Sequence, residues 1–286
     1  MGHHYFLGMV RTCPYKRVIG LLGESAGGGG AANIAPGTLE EIADATLVAS
    51  NEGLERAKAD DGLTYCLFLL TEITRAAREE DFAGALREAG LPSPGPLVSS
   101  ESQKATAGKA AYTVFELVSG FSRMVDGRLR RTRGRTDIGE MAQMAAAESL
   151  TALCTERATT LFGSSQESVQ HALRGLSTQK GFGVLVHDFF SRLARRYLEY
   201  HLSRELSNHV GPGRRFASIG EHNEFLVQLD VYCRTSAGIL RKFAGDWYSV
   251  HKFKDDISLE KTRGFTAHAV DKMRAALSHQ GSGCDG

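Results

Sequence analysis

Apolar residues in the second half of the chain recur every three or four positions over one long stretch: Phe182, Leu185, Val186, Phe189, Phe190, Leu193, Ala194, Tyr197, Leu198, Leu202 and Leu206. That period predicts an amphipathic helix over 178–210, roughly 45–50 Å long at about 1.5 Å per residue. A helix of that length can serve as the spine of a helical domain. Near its end His201, Glu205 and His209 continue the apolar row as a polar anomaly.

The same periodicity, punctuated by helix-capping residues, predicts further helices on both sides. Thr38 with Glu41 forms a capping box for a helix running towards Lys58, and Asp60 or Asp61 caps a second that is apolar on nearly every side from Leu63 to Ile73. A short helix follows Asp81 and stops at Gly90. Ser100 is placed to cap a helix carrying Tyr112, Phe115, Leu117, Val118, Phe121 and Met124, and Asp137 with Glu140 to open one that ends at Gly163. Ser165, Ser218 and Ser258 start three more. The Ser218 helix reads on through Phe225, Leu229, Cys233, Leu240 and Phe243.

Residues 1–36 differ. The short apolar runs 5–10 and 17–22, separated by Thr12, Cys13 and Pro14, predict a β-hairpin or extended segment, closed by the glycine tract 27–30. The fold class that results is a mainly α multi-helix bundle with a short N-terminal hairpin or extended segment. It divides into the Gly-rich segment 1–36, a helical lobe 37–126, an arginine-rich loop 127–136, a second lobe 137–279 built round the long helix, and a disordered tail 280–286. Pro92, Pro94 and Pro96 mark a connector. No fixed-period repeat and no alternation of strands with helices argues for a solenoid or a parallel sheet.

Composition narrows the function classes. With 42% hydrophobic and 23% charged residues the chain can bury a sizeable core, and the near balance of 34 basic against 33 acidic residues leaves a formal charge of +1. No global field advertises nucleic acid or a membrane, so any such contact must be a local patch. Five scattered cysteines without a C-x-x-C pair read as reduced structural thiols. The first residues hold no apolar stretch of signal-peptide length, and the longest apolar run, 65–70, is too short to span a bilayer. The expectation is a soluble, cytoplasmic protein with no membrane contact and no cofactor.

Four features carry candidate chemistry. The run 18–28 resembles the nucleophile elbow of carboxylesterases around Gly23, Ser25 and Gly27, but the chain upstream has no room for the strands that fold places before it. Ser25 is therefore expected not to be a nucleophile. Arg128, Arg130, Arg131, Arg133 and Arg135 cluster densely enough to clamp phosphates, with Asp126, Asp137 and Glu140 flanking them as competing partners. His201, Glu205 and His209 share a helix face on which imidazole and carboxylate at i, i+4 can meet a metal, with a further ligand from elsewhere such as Asp230, Cys233 or His268; satisfied core polar groups are the other reading. Trp247 and Tyr248, in a segment that reads as joining the last two helices, are placed to anchor a loop or a partner. These readings point to a helical interaction or scaffold subunit of an intracellular assembly. Its partners would be other protein subunits, and nucleic acid through the arginine loop is the most concrete version. The alternative is a metal-dependent enzyme centred on the 201–209 helix face.

Overall fold

The computed structural model describes residues 13–23, 36–94, 112–131, 135–158 and 165–279, which form twelve α-helices and, among the described residues, no strand. In chain order these are α1 (Cys13–Gly23), α2 (Pro36–Ala49), α3 (Asn51–Ala57), α4 (Asp61–Ala76), α5 (Phe82–Glu88), α6 (Val114–Arg131), α7 (Asp137–Ala158), α8 (Gln166–Leu176), α9 (Gln179–Leu206), α10 (Ile219–Ser236), α11 (Ile239–Phe253) and α12 (Leu259–His279). One 3-10 turn, Ser207–His209, follows α9. Every helix contributes buried side chains to a single contiguous apolar core.

The helix α9 is the spine that the period predicts. Thr178 caps it by accepting the Gly181 amide, and its 28 residues run about 42 Å. All eleven apolar positions of the row, from Phe182 to Leu206, are buried, and α7, α8, α10, α11 and α2 pack around it. The second buried helix is α4, capped by Asp60 accepting the Leu63 amide at 2.8 Å and covered by α7, α12, α6, α5 and α8.

Two helices cross very closely. A Cβ added at Gly183 of α9 would stand 2.2 Å from the Arg241 carbonyl oxygen of α11, and one added at Gly245 of α11 would stand 2.6 Å from the Gln179 carbonyl oxygen. The absence of side chains there lets Phe182 stack on Tyr248 with ring centroids 4.3 Å apart. Contacts step regularly in opposite directions, from Arg195 with Asp230, through Asp188 with Arg234, to Gln179 with Asp246. So α10 and α11 both run antiparallel to α9.

Several expectations need correction. The run 17–22 is not a strand but part of α1, whose Tyr15, Val18 and Leu22 are buried at helical spacing. A six-residue apolar run does not distinguish strand from helix by period alone, and Pro14 in the first turn suits a helix start. Residues 5–10, Ser25 and the tract 27–30 lie outside the described residues. The helix expected from Thr38 to Lys58 begins at Pro36 and is interrupted at Ser50. There the Tyr197 hydroxyl donates to the Ser50 carbonyl at 2.8 Å. The cap of α7 is Thr136 rather than Asp137: its hydroxyl oxygen accepts the Gly139 amide at 3.0 Å while donating to Asp60 at 2.6 Å. The helix predicted from Ser218 through Phe243 is two helices, broken at Ala237 and Gly238.

Candidate functional site

The arginine segment is largely helix. Whereas 127–136 reads as a loop in the sequence, α6 continues through Gly127 to Arg131, so Arg128, Arg130 and Arg131 occupy its last turn. Cations there are favoured by the helix dipole by about 0.3–1 kcal/mol, a structural reason for part of the cluster. The Arg128 guanidinium lies 5.5 Å from the centre of the Tyr65 ring. Arg135 is neutralised by Asp126 at 2.5 Å and Glu140 at 3.4 Å. Arg130 donates to the Asp126 carbonyl at 3.4 Å; it and Arg131 are exposed and meet no carboxylate among the described residues. Arg133 lies outside the described residues.

Of the three polar residues at the end of α9 only His201 is buried, while Glu205 and His209 are half-buried. His201 is buried among the rings of Tyr197 and Tyr200, at 4.6 and 5.1 Å, while Tyr15 donates to its backbone carbonyl at 3.3 Å. Burial opposes its protonation and brings its pKa down to about 4. Glu205 accepts from Asn208 at 3.5 Å. Asp230 is held by Arg195 at 3.4 Å and Arg234 at 3.9 Å. Among the described residues no group of three or more His, Cys, Asp or Glu is placed to hold a metal ion, so His201, Glu205 and Asp230 are not gathered into one.

Asp230 belongs instead to a chain of alternating charges crossing α7, α9 and α10. Glu148 meets Arg192 at 3.4 Å, Arg192 meets Asp188 at 2.7 Å, and Asp188 meets Arg234 at 3.7 Å. Arg234 then meets Asp230, and Arg195 bridges from Asp230 to Glu199 at 2.8 Å. Beside it, a cleft of about 310 Å³ opens between Asp137, Glu140, Met141 and Met144 of α7 and Arg196, Glu199 and Tyr200 of α9. Its polar groups are engaged with neighbours: Arg196 with Glu148, Glu140 with Arg135, and the Tyr200 hydroxyl donates to Asp137 at 2.9 Å. Burial, reinforced by Asp137, pushes the Tyr200 phenol up to about 12. Such mutual pairing ties α7 to α9.

Trp247 and Tyr248 stand within α11, not in a connector. Tyr248 is buried on Phe182, and Trp247 packs on Phe265 of α12 with ring centroids 4.6 Å apart. They fasten α11 to α9 and α12.

The feature that sequence reasoning missed is the outer face of α10. Phe225, Leu229, Tyr232, Cys233 and Ser236 bury one side of this helix. On the opposite side Val227 and Val231, one turn apart, are 64% and 58% exposed; Ile219, the first residue of α10, and Ile239, the first of α11, are exposed as well. The sequence shows a valine pair at i, i+4 but does not mark it as exposed.

No protein-family model, curated protein or solved structure matches this chain. Function must therefore be argued from the surface itself. Among the described residues the surface presents the exposed valine pair of α10, the exposed rings of Phe115 and Phe253, and the exposed arginines at the end of α6. No helix among the described residues is long and apolar enough to cross a membrane.

Proposed function

We propose that the chain is a helical interaction subunit of a larger assembly and that it meets another polypeptide through the outer face of α10. The observation that carries this reading is the exposed pair Val227 and Val231 on a helix whose other side is fully packed. Single exposed apolar residues are ordinary, but a pair aligned one turn apart on one helix face fits the helix-face mode of partner recognition. Replacing Val231 by a photoreactive amino acid, in cells that make the chain, should give a discrete cross-linked adduct on illumination. The same replacement at Glu52, exposed on α3, should not. Absence of any adduct at Val231 would overturn the reading.

A nucleic-acid contact is the more concrete second reading, supported by Arg130 and Arg131 standing exposed and meeting no carboxylate among the described residues while Arg128 lies on Tyr65. Replacing Arg130 and Arg131 together by Ala should weaken binding equally for all sequences and reduce the log-log salt slope by about two units. Gel shifts at two salt concentrations measure this. Wild-type protein that binds nothing at low salt removes nucleic acid from the account.

A further inference from the structure

We infer that His187 is a proton-sensitive latch: as a neutral ring with its hydrogen on Nε2 it holds the break between α10 and α11 against α9, and a second proton opens that break. The inference stands whether or not the valine pair of α10 meets a partner.

His187 is buried in α9 and touches both sides of the break at Ala237 and Gly238. Its Nε2 lies 2.8 Å from the Arg234 carbonyl oxygen in the last turn of α10, and its Nδ1 lies 3.3 Å from the Arg241 guanidinium in the first turn of α11. A carbonyl only accepts and a guanidinium only donates. Nε2 therefore carries the hydrogen, and Nδ1 offers its lone pair to Arg241. The geometry assigns one tautomer and leaves no place for a second proton. Gly183, one turn earlier on α9, is where the Arg241 backbone makes its closest approach, so backbone and side chain of Arg241 are held by the same face of α9.

A proton on Nδ1 would take the acceptor from Arg241 and set two cations against each other. Burial is the first reason why the ring resists it and sits below the usual histidine range. The Arg234 carbonyl favours the proton, whereas the Arg241 and Arg234 guanidinium groups oppose it, from α11 and α10. Asp188, beside the ring on α9, also favours it, but Arg192 at 2.7 Å and Arg234 at 3.7 Å already share that carboxylate. Glu148 of α7 is engaged by Arg192 in turn.

Opening is thereby linked to a proton. While the break is closed Nδ1 is occupied; once it opens, the ring meets water and is protonated near 6.5. The open chain then binds a proton that the closed chain does not, so the open fraction grows as pH falls below 6.5, by up to about tenfold between pH 7.5 and 5.5.

Two measurements on the full chain test this. In the first, imidazole nitrogen resonances of the histidine-labelled protein are recorded at pH 7.5, with His187 identified as the ring that responds to Arg241→Leu, a change at an exposed side chain. The expected ring is neutral with its hydrogen on Nε2. A ring that carries its hydrogen on Nδ1 or is charged at that pH, or a spectrum in which no histidine responds to Arg241→Leu, overturns the inference. In the second, hydrogen exchange of the amides 236–242, corrected for intrinsic rates and referred to the amides of α4, is followed from pH 7.5 to 5.5. Wild type should lose protection several-fold, up to about tenfold. His187→Gln, whose amide nitrogen can donate to the Arg234 carbonyl and whose oxygen can accept from Arg241 without titrating, should change less than about twofold. Constant protection in wild type, or an equal loss in a folded His187→Gln, overturns the latch; should that variant not fold, the tautomer and the wild-type exchange still decide.

Discussion

Gly183→Ala is the sharpest test of the close crossing between α9 and α11, because two opposed terms decide its sign. Alanine in a helix interior is favoured over glycine by about 1 kcal/mol. Against that, the new Cβ would lie 2.2 Å from the Arg241 carbonyl oxygen and 3.1 Å from its carbon, both backbone atoms that no rotamer change can move. Relief needs about 1 Å of separation between the helices, since such contacts ordinarily begin above about 3 Å. Opening that gap also loosens the Phe182–Tyr248 stack at 4.3 Å. Overpacking of this kind costs about 1–3 kcal/mol and outweighs the propensity gain at the upper end of its range. The predicted result is a net loss of about 1–2 kcal/mol.

The control is Gly264→Ala in α12, where an added Cβ meets nothing within 4 Å and the gain of about 0.5–1 kcal/mol should stand unopposed. Urea unfolding followed by circular dichroism, with midpoints compared at unchanged slope, reads both signs. If Gly183→Ala stabilises as much as Gly264→Ala, the crossing is not as close as described and the packing argument for α9 and α11 fails.

Leu193→Ala, at a fully buried position in the middle of α9, should cost about 2–5 kcal/mol in the same assay; a wild-type midpoint would mean that α9 is peripheral. Acid should also weaken the fold through His201. Unfolded, this histidine takes up its proton near 6.5, but folded only at about 4. Over that interval the unfolded chain binds a proton that the folded chain does not, so stability falls as pH drops from about 6.5 to 4, by up to roughly 3 kcal/mol, and His201 contributes no pH dependence above it. Burial lowers His187 and His209 in the same direction, so His201→Gln should flatten the slope in part. An unchanged slope of stability against pH refutes the assignment.

Legibility of the fold followed the range of the interactions that set each element. Asp60, Asp81, Ser165 and Ser218 cap the helices that follow them because a cap bonds an amide only three residues on. The row along α9 was readable because one buried face repeats for eleven apolar positions. What escaped was set from a distance. Ser50 is met by Tyr197, and Thr136 is held by Asp60, contacts that no local pattern encodes. The helix α1 was mistaken for a strand because its buried face comprises only Tyr15, Val18 and Leu22.

For the site, residue types were visible but their partners were not. Asp230 reads as a free ligand until Arg195 and Arg234 are brought to it, and Trp247 as a loop anchor until α11 is seen to continue through it. Val227 and Val231 carry no signal of exposure in the sequence, where they are two more apolar residues among Phe225, Leu226, Leu229, Tyr232 and Cys233.

The outer face of α10 is tested most directly by its protection in cells that make the chain. Val231→Cys, labelled with N-ethylmaleimide, is compared with Glu52→Cys; Cys66, Cys154 and Cys233 are buried and react slowly. In dilute purified protein the two introduced thiols should react at similar rates. In cells the account predicts that the thiol at 231 is protected several-fold while that at 52 is not. Equal labelling of both positions in cells would contradict it.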